Sequence, residues 1–399
     1  MAISQSIRRM LVRSAGAAAV IIAACSTAPA AHAGAVYPIP EQDGFYFAPG
    51  NLAAAAPGDV LNSRIVPAHQ FPGATVWQLL FRSTDSQGGP IAAVTTLISP
   101  GPGARPLVSY QPFVNSLGVQ CAPSHTLFNG GVKEAAAFPL MLARGWAISV
   151  PDHLGPSSAY GAARLGGQIT LDGVRAVKRF APAGLADGPV GLAGYSGGAM
   201  STGFAAALAP SYAPELPIVG VAQGGVPVNP GKIAIQAGDT PQALFGLGFA
   251  VGVGLQREYP AQLPLDQALT PAGFALRDRI ANSCVDDIIS AGANHRIGEM
   301  FNPGMENDPA LVATFHENAL EIAPELIRAP LYQWHGGSDQ VPLDLALNTA
   351  GRYCAAGTPV QFDIIPGADH LGAILPGSIN AFGYLGDRFA GLPAPSNCR

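Results

Sequence analysis

A serine set between small residues is the feature of this sequence that most directly suggests chemistry. It stands in the run Gly194-Tyr195-Ser196-Gly197-Gly198, after an apolar segment and before a stretch of small residues. A strand that turns sharply into a helix around a serine needs small residues two positions to either side, because the backbone closes on itself there. In a chain with 49 glycines the same pattern also fits an ordinary turn. The strand–turn–helix setting leads us to predict a nucleophile.

Two downstream residues could activate this serine. A serine hydroxyl attacks well only when a base removes its proton and an acid orients that base. In proteins with this turn, the acid and then the histidine follow the serine along the chain. Asp339 and His370 satisfy this order, and each lies in a loop after a predicted strand, where catalytic groups of α/β proteins gather. We therefore expect a Ser196–Asp339–His370 triad.

Each of these assignments has an alternative. Asp339 could be a turn former in Gly-Gly-Ser-Asp, and His370 could cap the next helix. His335, at the end of a predicted strand, is an alternative base. Asp369 is a weaker candidate for the acid of the triad, because the side chains of adjacent residues diverge and Asp369 could hardly orient its neighbour His370. Two more histidines fall in a helix-rich interval, where we expect them to pack or to face solvent: His295 and His316.

Attack by a serine on an ester also requires hydrogen-bond donors for the oxyanion that forms. One donor should be the backbone N–H of Gly197, the residue after the nucleophile. The second normally comes from a loop after an early strand, here the loop after residues 107–111. The usual His-Gly-Gly-Gly sequence is absent from that loop, so we expect Asn115 or Ser116 to contribute.

Alternating strands and helices must position these residues. Near-continuous apolar strands separated by helices predict a mostly parallel sheet covered on both faces, and with the serine turn they predict an α/β-hydrolase. Residues 34–75, rich in Pro, Ala and Gly, are interpreted as an irregular N-terminal wrap. The predicted strands are 75–82, 91–98, 107–111, 147–150, 190–193, 218–223, 331–334 and 360–365, and the predicted helices 130–144, 164–181 and 197–209.

One interval breaks this rhythm. Residues 227–328 contain no convincing strand, which is too long a gap for a simple connection. We expect a helical cap or lid there, inserted into a hydrolase core formed by residues 34–226 and 329–399. An apolar run at 245–255 suits an acyl tunnel or lid, and equally a buried cap helix. The helix-like stretches of the interval are 261–268, 272–289 and 309–319.

Composition limits the possible partners. Hydrophobic residues make up 48% and charged residues 12%, so we expect a large packed core. The net charge of −5, with no basic run beyond the N-terminus, argues against a nucleic-acid partner. No Cys-x-x-Cys or Cys/His cluster occurs, so we expect neither a metal nor another cofactor. The oligomeric state stays open.

The N-terminus predicts export. Residues 1–33 combine three arginines, an apolar stretch at 15–24 and a small-x-small cleavage site at 31–33, as signal peptides do. In the alternative interpretation, Cys25 ends a lipobox-like Ile-Ala-Ala-Cys and carries a lipid anchor. Cleavage after Ala33 leaves an even number of cysteines, which favours two disulfides in an exported chain. Three pairings are possible among Cys121, Cys284, Cys354 and Cys398.

Five blocks of the sequence resemble the secretory lipases, the family of yeast lipase A. They are SYQPFVNSLGVQCAPSH, VPDHLGPSSAYGAARLGGQITLDGVRAVK, AGYSGGAMSTGFAA, GVAQGGVPVN and YQWHGGSDQVP. The match runs in the same order from about residue 60 to the C-terminus. The resemblance implies an α/β-hydrolase with a helical cap and a triad at Ser196, Asp339 and His370.

The resemblance also bears on the disulfides and on the oxyanion loop. It implies the pairs Cys121–Cys284 and Cys354–Cys398, the first of which would tie the oxyanion loop to the cap. The family typically has an Asp as its second oxyanion contributor, where this chain has Asn115. A backbone N–H or an amide NH2 could still donate there, but a role that needs a carboxyl proton is excluded.

These features predict a secreted carboxylic ester hydrolase, a triacylglycerol lipase that works through an acyl-enzyme and contacts lipid interfaces transiently. The same serine would also serve an esterase or acyltransferase that acts on short-chain or cell-wall esters. A third interpretation is a protein that binds ligands on a hydrolase scaffold without catalysis, since a fold does not guarantee its chemistry.

Overall fold

A nine-stranded sheet organises the chain, of which the computed structural model describes residues 34–398. The strands are β1 Val60–Ile65, β2 Thr75–Thr84, β3 Pro90–Ser99, β4 Leu107–Gln111, β5 Ala147–Pro151, β6 Val190–Tyr195, β7 Ile218–Gly224, β8 Leu331–Gly336 and β9 Val360–Ile365. They lie side by side in the order β1-β2-β3-β5-β4-β6-β7-β8-β9. The six strands from β5 to β9 are parallel, while β1, β2, β3 and β5 pair antiparallel. The predicted mostly parallel sheet is confirmed.

Thirteen α-helices accompany the sheet in this part of the chain. They are α1 Pro123–Thr126, α2 Phe138–Ala143, α3 Ala163–Arg179, α4 Ser196–Tyr212, α5 Pro230–Ala237, α6 Phe245–Glu258, α7 Leu265–Ala268, α8 Pro271–Ile280, α9 Val285–Gly292, α10 Ile297–Met300, α11 Pro309–Glu317, α12 Leu343–Ala355 and α13 Ile374–Phe389.

Helices cover the sheet on both faces. Leu107 and Val108 are neighbours on β4 and point to opposite sides, because side chains alternate along a strand. Leu107 joins a core that includes Phe204 of α4, and Val108 joins one that includes Met141 of α2 and Leu385 of α13. Every residue of β4, β5 and β6 is buried, which explains why these strands read as continuous apolar runs.

The N-terminal segment contains a strand that the sequence did not predict. Residues 34–75 were expected to form an irregular wrap, but Val60–Ile65 pairs with β2 as the edge strand of the sheet. All six of its residues are exposed or half-buried, so it lacks the apolar run and the regular alternation that mark a strand in sequence. The expectation of a wholly irregular segment was wrong.

The interval between β7 and β8 is helical. It holds α5 to α11, and its only strand-like pairings in the part of the chain described are the isolated bridges Gln242–His295 and Leu269–Phe301. Two predicted helical stretches are shorter or divided. The stretch 261–268 contains only the four-residue α7, which begins after Pro264, and 272–289 is split between α8 and α9.

Two disulfides fasten distant parts of the chain. Cys121, in the loop region after β4, is bonded to Cys284 at the start of α9, with 5.6 Å between the Cα atoms. Cys354 of α12 is bonded to Cys398 in the C-terminal tail, with 5.5 Å between the Cα atoms. Within residues 34–398, no helix has the length and hydropathy that crossing a membrane would need. The predicted signal peptide and the alternative anchor at Cys25 lie outside the described residues.

Candidate active site

The turn between β6 and α4 holds Ser196 in a strained conformation. Its φ of 52° lies in the left-handed region, which residues other than glycine seldom adopt. The flanking glycines are needed for steric reasons. A Cβ on Gly194 would lie 2.3 Å from Oγ1 of Thr202, and one on Gly198 would lie 2.0 Å from the carbonyl oxygen of Gln111. The spacing of small residues in the sequence is therefore a packing requirement of this turn.

His370 is the base within reach of the serine. It lies in the loop after β9, with its Nε2 2.8 Å from Oγ of Ser196. Its backbone is held on both sides: its N–H donates to Oε1 of Gln340 at 3.0 Å, and its carbonyl accepts from the Tyr195 hydroxyl at 2.5 Å. The ring thus sits at hydrogen-bonding distance from the serine because neighbouring side chains fix its main chain.

Asp339 lies on the far side of the His370 ring, in the loop after β8. Its Oδ1 is 2.7 Å from Nδ1 of His370 and also accepts the backbone N–H of Val341 at 2.8 Å. The side chain is fully buried. Burial would raise the pKa of Asp339, but the hydrogen bond and charge of His370, together with the Val341 N–H, hold that pKa below its ordinary value. Asp339 is therefore an anion that can stabilise a protonated His370.

The alternative residues are placed away from this arrangement. His335 is fully buried behind Asp339, and its Nε2 lies 2.8 Å from the carbonyl oxygen of Val341. Asp369 is exposed, and its Oδ1 accepts the N–H of Gly372 at 2.7 Å instead of contacting a histidine ring. In the helical interval, Nδ1 of His295 lies 2.8 Å from Glu299, and His316 is exposed on α11.

The loop after β4 borders the serine turn through Asn115. This residue is buried and has a φ of 45°. Its Oδ1 lies 2.0 Å from the position that a Cβ on Gly197 would take, so any larger residue at that position would clash with it. Oδ1 of Asn115 and Oγ of Ser116 are both buried without a hydrogen-bond partner among residues 34–398. Buried polar atoms normally find a partner, so the unpaired Oδ1 of Asn115, which borders the serine turn, can accept a hydrogen bond from a ligand.

Two residues that sequence reasoning missed hold this loop. Oε1 of Glu134 accepts the N–H of Phe113 at 2.9 Å. Arg257 of α6 is buried, and its guanidinium donates to carbonyl oxygens in five places, at distances of 2.5 to 3.0 Å: Val36, Leu117, Ser157, Ser158 and Ala281. Burial lowers the pKa of Arg257 to about 10, so it stays charged at neutral pH. Its partners are main-chain atoms far away in the sequence, which no motif could reveal.

Further contacts join the same loop to the turn between α8 and α9. The N–H of Leu117 donates to the carbonyl of Ser283 at 3.0 Å, and Nε2 of Gln120 donates to the carbonyl of Asn282 at 2.7 Å. The Cys121–Cys284 disulfide lies beside them. The loop that carries Asn115 is therefore fixed to the helical interval by covalent and hydrogen bonds. Across residues 34–398, no three His, Cys, Asp or Glu side chains are grouped so as to hold a metal ion.

A serine on a strand–helix turn, followed in order by a buried aspartate and a histidine within hydrogen-bonding distance, defines a serine ester hydrolase of the α/β-hydrolase fold. The chain belongs to the secretory lipase family, whose model matches residues 133–397. Relatives of the chain are named secreted lipases, which confirms the prediction of secretion, whereas cleavage after Ala33 and lipidation of Cys25 stay predictions.

Known proteins resemble the chain over most of its length. The secreted triacylglycerol lipase LIP6 of Malassezia globosa is 30% identical over 93% of this chain and 69% of its own length. A Mycobacterium tuberculosis protein named "probable inactive lipase" is 32% identical over 89% of this chain and 83% of its own. The crystal structure of Candida antarctica lipase A superposes with a TM-score of 0.84 at 27% identity, over 89% of this chain and 87% of the lipase.

Proposed function

We propose that the chain hydrolyses long-chain acylglycerols such as triacylglycerols, with Ser196, His370 and Asp339 as its catalytic triad. The observation that carries the catalytic part of this proposal is the continuous hydrogen-bonded row from Oγ of Ser196 to Nε2 of His370, at 2.8 Å, and from Nδ1 of His370 to Oδ1 of Asp339, at 2.7 Å. The substrate class is supported by relatives that are named triacylglycerol lipases. Family membership alone would not suffice, since a relative of similar identity bears the name of an inactive lipase.

The reaction follows from this geometry. Oγ of Ser196 attacks the ester carbonyl while its proton passes to Nε2 of His370. The anionic Asp339 stabilises the resulting imidazolium through Nδ1–H. The oxyanion accepts from the N–H of Gly197 and from Asn115, by its backbone N–H or its amide NH2. His370 then protonates the departing alcohol, which leaves the acyl chain on Ser196.

Deacylation repeats these steps with water. A water molecule gives a proton to Nε2 of His370 and its oxygen attacks the acyl carbonyl. The second tetrahedral intermediate faces the same donors as the first. Its collapse returns the proton from His370 to Oγ of Ser196 and frees the fatty acid. Water is thus the only co-reactant, and no cofactor is needed.

The helical residues 227–328 act as a cap in this proposal. Tyr160 supports this role of the cap because it joins the serine turn to α6. Its ring lies 3.2 Å from the position that a Cβ on Gly197 would take, and its carbonyl oxygen lies 2.1 Å from the position that a Cβ on Gly254 of α6 would take. Within the apolar run at 245–255, Phe249, Val253 and Leu255 are buried against other parts of the chain. These contacts favour the interpretation of this run as a packed cap helix.

Acyl-chain length is the measurement that tests the substrate class. We expect hydrolysis of p-nitrophenyl palmitate as well as p-nitrophenyl butyrate, and a rise in the palmitate rate when an emulsion is present. Activity confined to the butyrate would make the protein a short-chain esterase instead. Labelling with a fluorophosphonate, with Ser196→Ala as control, tests catalysis itself: a folded protein without an adduct on Ser196 would be a binding protein.

A further inference from the structure

A row of exposed apolar side chains begins at the residue that follows His370. Leu371, Leu375 and Ile379 are 69%, 68% and 56% exposed. Leu375 and Ile379 are four residues apart on α13 and therefore share one face of the helix. The carbonyl of Leu371 accepts the N–H of Ile374 at 3.2 Å, so the turn that carries Leu371 leads directly into that helix. The row is continuous from the candidate base outwards.

The fold does not account for this row. The buried face of α13 already anchors the helix, because Ala381, Tyr384 and Leu385 are buried in the core. Single exposed apolar residues are ordinary on protein surfaces. Three large exposed apolar side chains that follow one another at four-residue spacing, beginning beside a candidate active site, indicate a surface that contacts an apolar partner.

Charge identifies the kind of partner. Residues 371–386 contain no Asp, Glu, Lys or Arg, although the chain as a whole carries a net charge of −5. The nearest charged side chains along the sequence are acidic and exposed, Asp369 before the row and Asp387 after it. A segment that carries no basic side chain of its own and is flanked in sequence by carboxylates gains little from an anionic membrane. It fits an uncharged apolar surface.

We propose that Leu371, Leu375 and Ile379 form a docking surface for the uncharged surface of a glyceride aggregate. This proposal rests on the proposed function and adds to it the part of the molecule that meets the lipid. Because Leu371 adjoins His370, an aggregate held on this row lies next to the triad. Apolar side chains that enter the lipid lose their contact with water, which is the driving force for docking.

Binding is tested separately from catalysis in the full chain with Ser196→Ala, which cannot consume the lipid. We expect the added pair Leu375→Gln and Ile379→Gln to weaken binding to triolein droplets at least tenfold, measured by flotation. Leu371 is left intact because it adjoins His370. The matched control is Ile65→Gln, since Ile65 is also 68% exposed but lies on β1, at the opposite edge of the sheet from β9. Equal binding by the pair and its parent, or an equal loss in the control, would overturn the proposal.

Activity and partner choice supply further outcomes. With Ser196 present, the pair should lower the ratio of triolein hydrolysis to soluble p-nitrophenyl butyrate hydrolysis at least tenfold, and an unchanged ratio contradicts docking. A parent protein that binds triolein droplets but hydrolyses no ester would contradict the proposed function and leave the docking surface intact. Stronger binding to phosphatidylglycerol vesicles than to triolein would overturn the assignment of an uncharged partner. Dimers in sedimentation that the pair converts to monomers would assign the row to a contact between copies instead.

Discussion

Nε2 of His335 lies 3.5 Å from Oδ2 of Asp339, while Nδ1 of His370 lies 2.7 Å from Oδ1 of the same carboxylate. The His335 ring is fully buried, and burial lowers its pKa, so it is neutral at neutral pH and donates to the Val341 carbonyl instead. The neighbouring N–H of Val341 is the one that Asp339 accepts. His335 therefore supports the loop that holds the acid, and His370 faces the serine.

The two histidines consequently predict different kinetic effects. We expect His370→Gln to lower kcat by about 10⁴- to 10⁶-fold, because a proton acceptor for Ser196 is lost. His335→Gln should lower kcat by about tenfold or less, since a glutamine amide can still donate to Val341. Initial rates on p-nitrophenyl butyrate measure both. The assignment of the base is wrong if His335→Gln is the more damaging change.

Replacements within the triad should not add. Ser196→Ala should reduce kcat by about 10⁶-fold, and Ser196→Ala with His370→Gln by no more than Ser196→Ala alone, because the base has no role without its nucleophile. Rates on the same soluble ester measure the effect, with circular dichroism to verify folding. A double variant that is another thousandfold slower would mean that His370 acts apart from Ser196.

The strands β2 to β9 were the part of the fold most accessible from sequence. The predicted bounds 107–111 and 360–365 agree with those of β4 and β9. β4 lies in the middle of the sheet, and because both of its faces are buried its sequence is an apolar run. β1 was not predicted, because an edge strand whose side chains are exposed or half-buried needs no apolar run. The break between α8 and α9 was also missed, although its residues help to hold the loop that carries Asn115.

The same distinction applies to the site. Ser196, Asp339 and His370 each follow a strand, so local sequence together with chain order was enough to predict which residues meet. Arg257 acts on main-chain carbonyls of residues such as Leu117, 140 positions away. Any residue can offer a carbonyl, and neither partner therefore leaves a pattern in the sequence. Only packing brings the two together.

Arg257 provides a stability test of this packing. Arg257→Met should cost at least about 3 kcal/mol of unfolding free energy, because it leaves five carbonyl oxygens without their donor. Arg257→Lys should recover part of the loss, since an ammonium supplies three donors. Denaturant unfolding measures the change, and Arg328→Met is the control because Arg328 is exposed and binds a single carbonyl, that of Ala356. Equal effects at both positions would contradict the role of Arg257.

The two disulfides should differ in their effect on catalysis. Chain entropy predicts stabilisation of about 5 kcal/mol for Cys121–Cys284 and about 4 kcal/mol for Cys354–Cys398, so the losses in stability should be similar. Replacing the first pair by serines should also lower kcat by about tenfold or more, because the bond holds the loop that carries Asn115. Replacing the second pair should leave kcat within about twofold. A reversed order would place the control of the site elsewhere.

A buried histidine away from the proposed triad should make stability depend on pH. His153, two residues after the end of β5, is 1% exposed, and burial lowers its pKa from 6.5 to about 4. Below pH 6.5, His153 binds a proton in the unfolded chain, whereas in the folded chain it stays neutral until the pH reaches about 4. Protonation of His153 in the unfolded chain therefore does not affect the free energy of unfolding above pH 6.5. As the pH falls from 6.5 to about 4, it lowers that free energy by about 3 kcal/mol in total.

His153→Asn isolates this effect, because the Asn amide can replace Nδ1 as the donor to the Pro151 carbonyl, 3.3 Å away, and does not titrate. The variant should start less stable at pH 7.5, since it fills less of the buried space. From pH 7.5 to pH 4, however, it should lose about 3 kcal/mol less than the parent protein in denaturant unfolding. Parallel curves for the two proteins would mean that His153 is protonated in the folded state at the same pH as in the unfolded chain, and that burial does not control its charge.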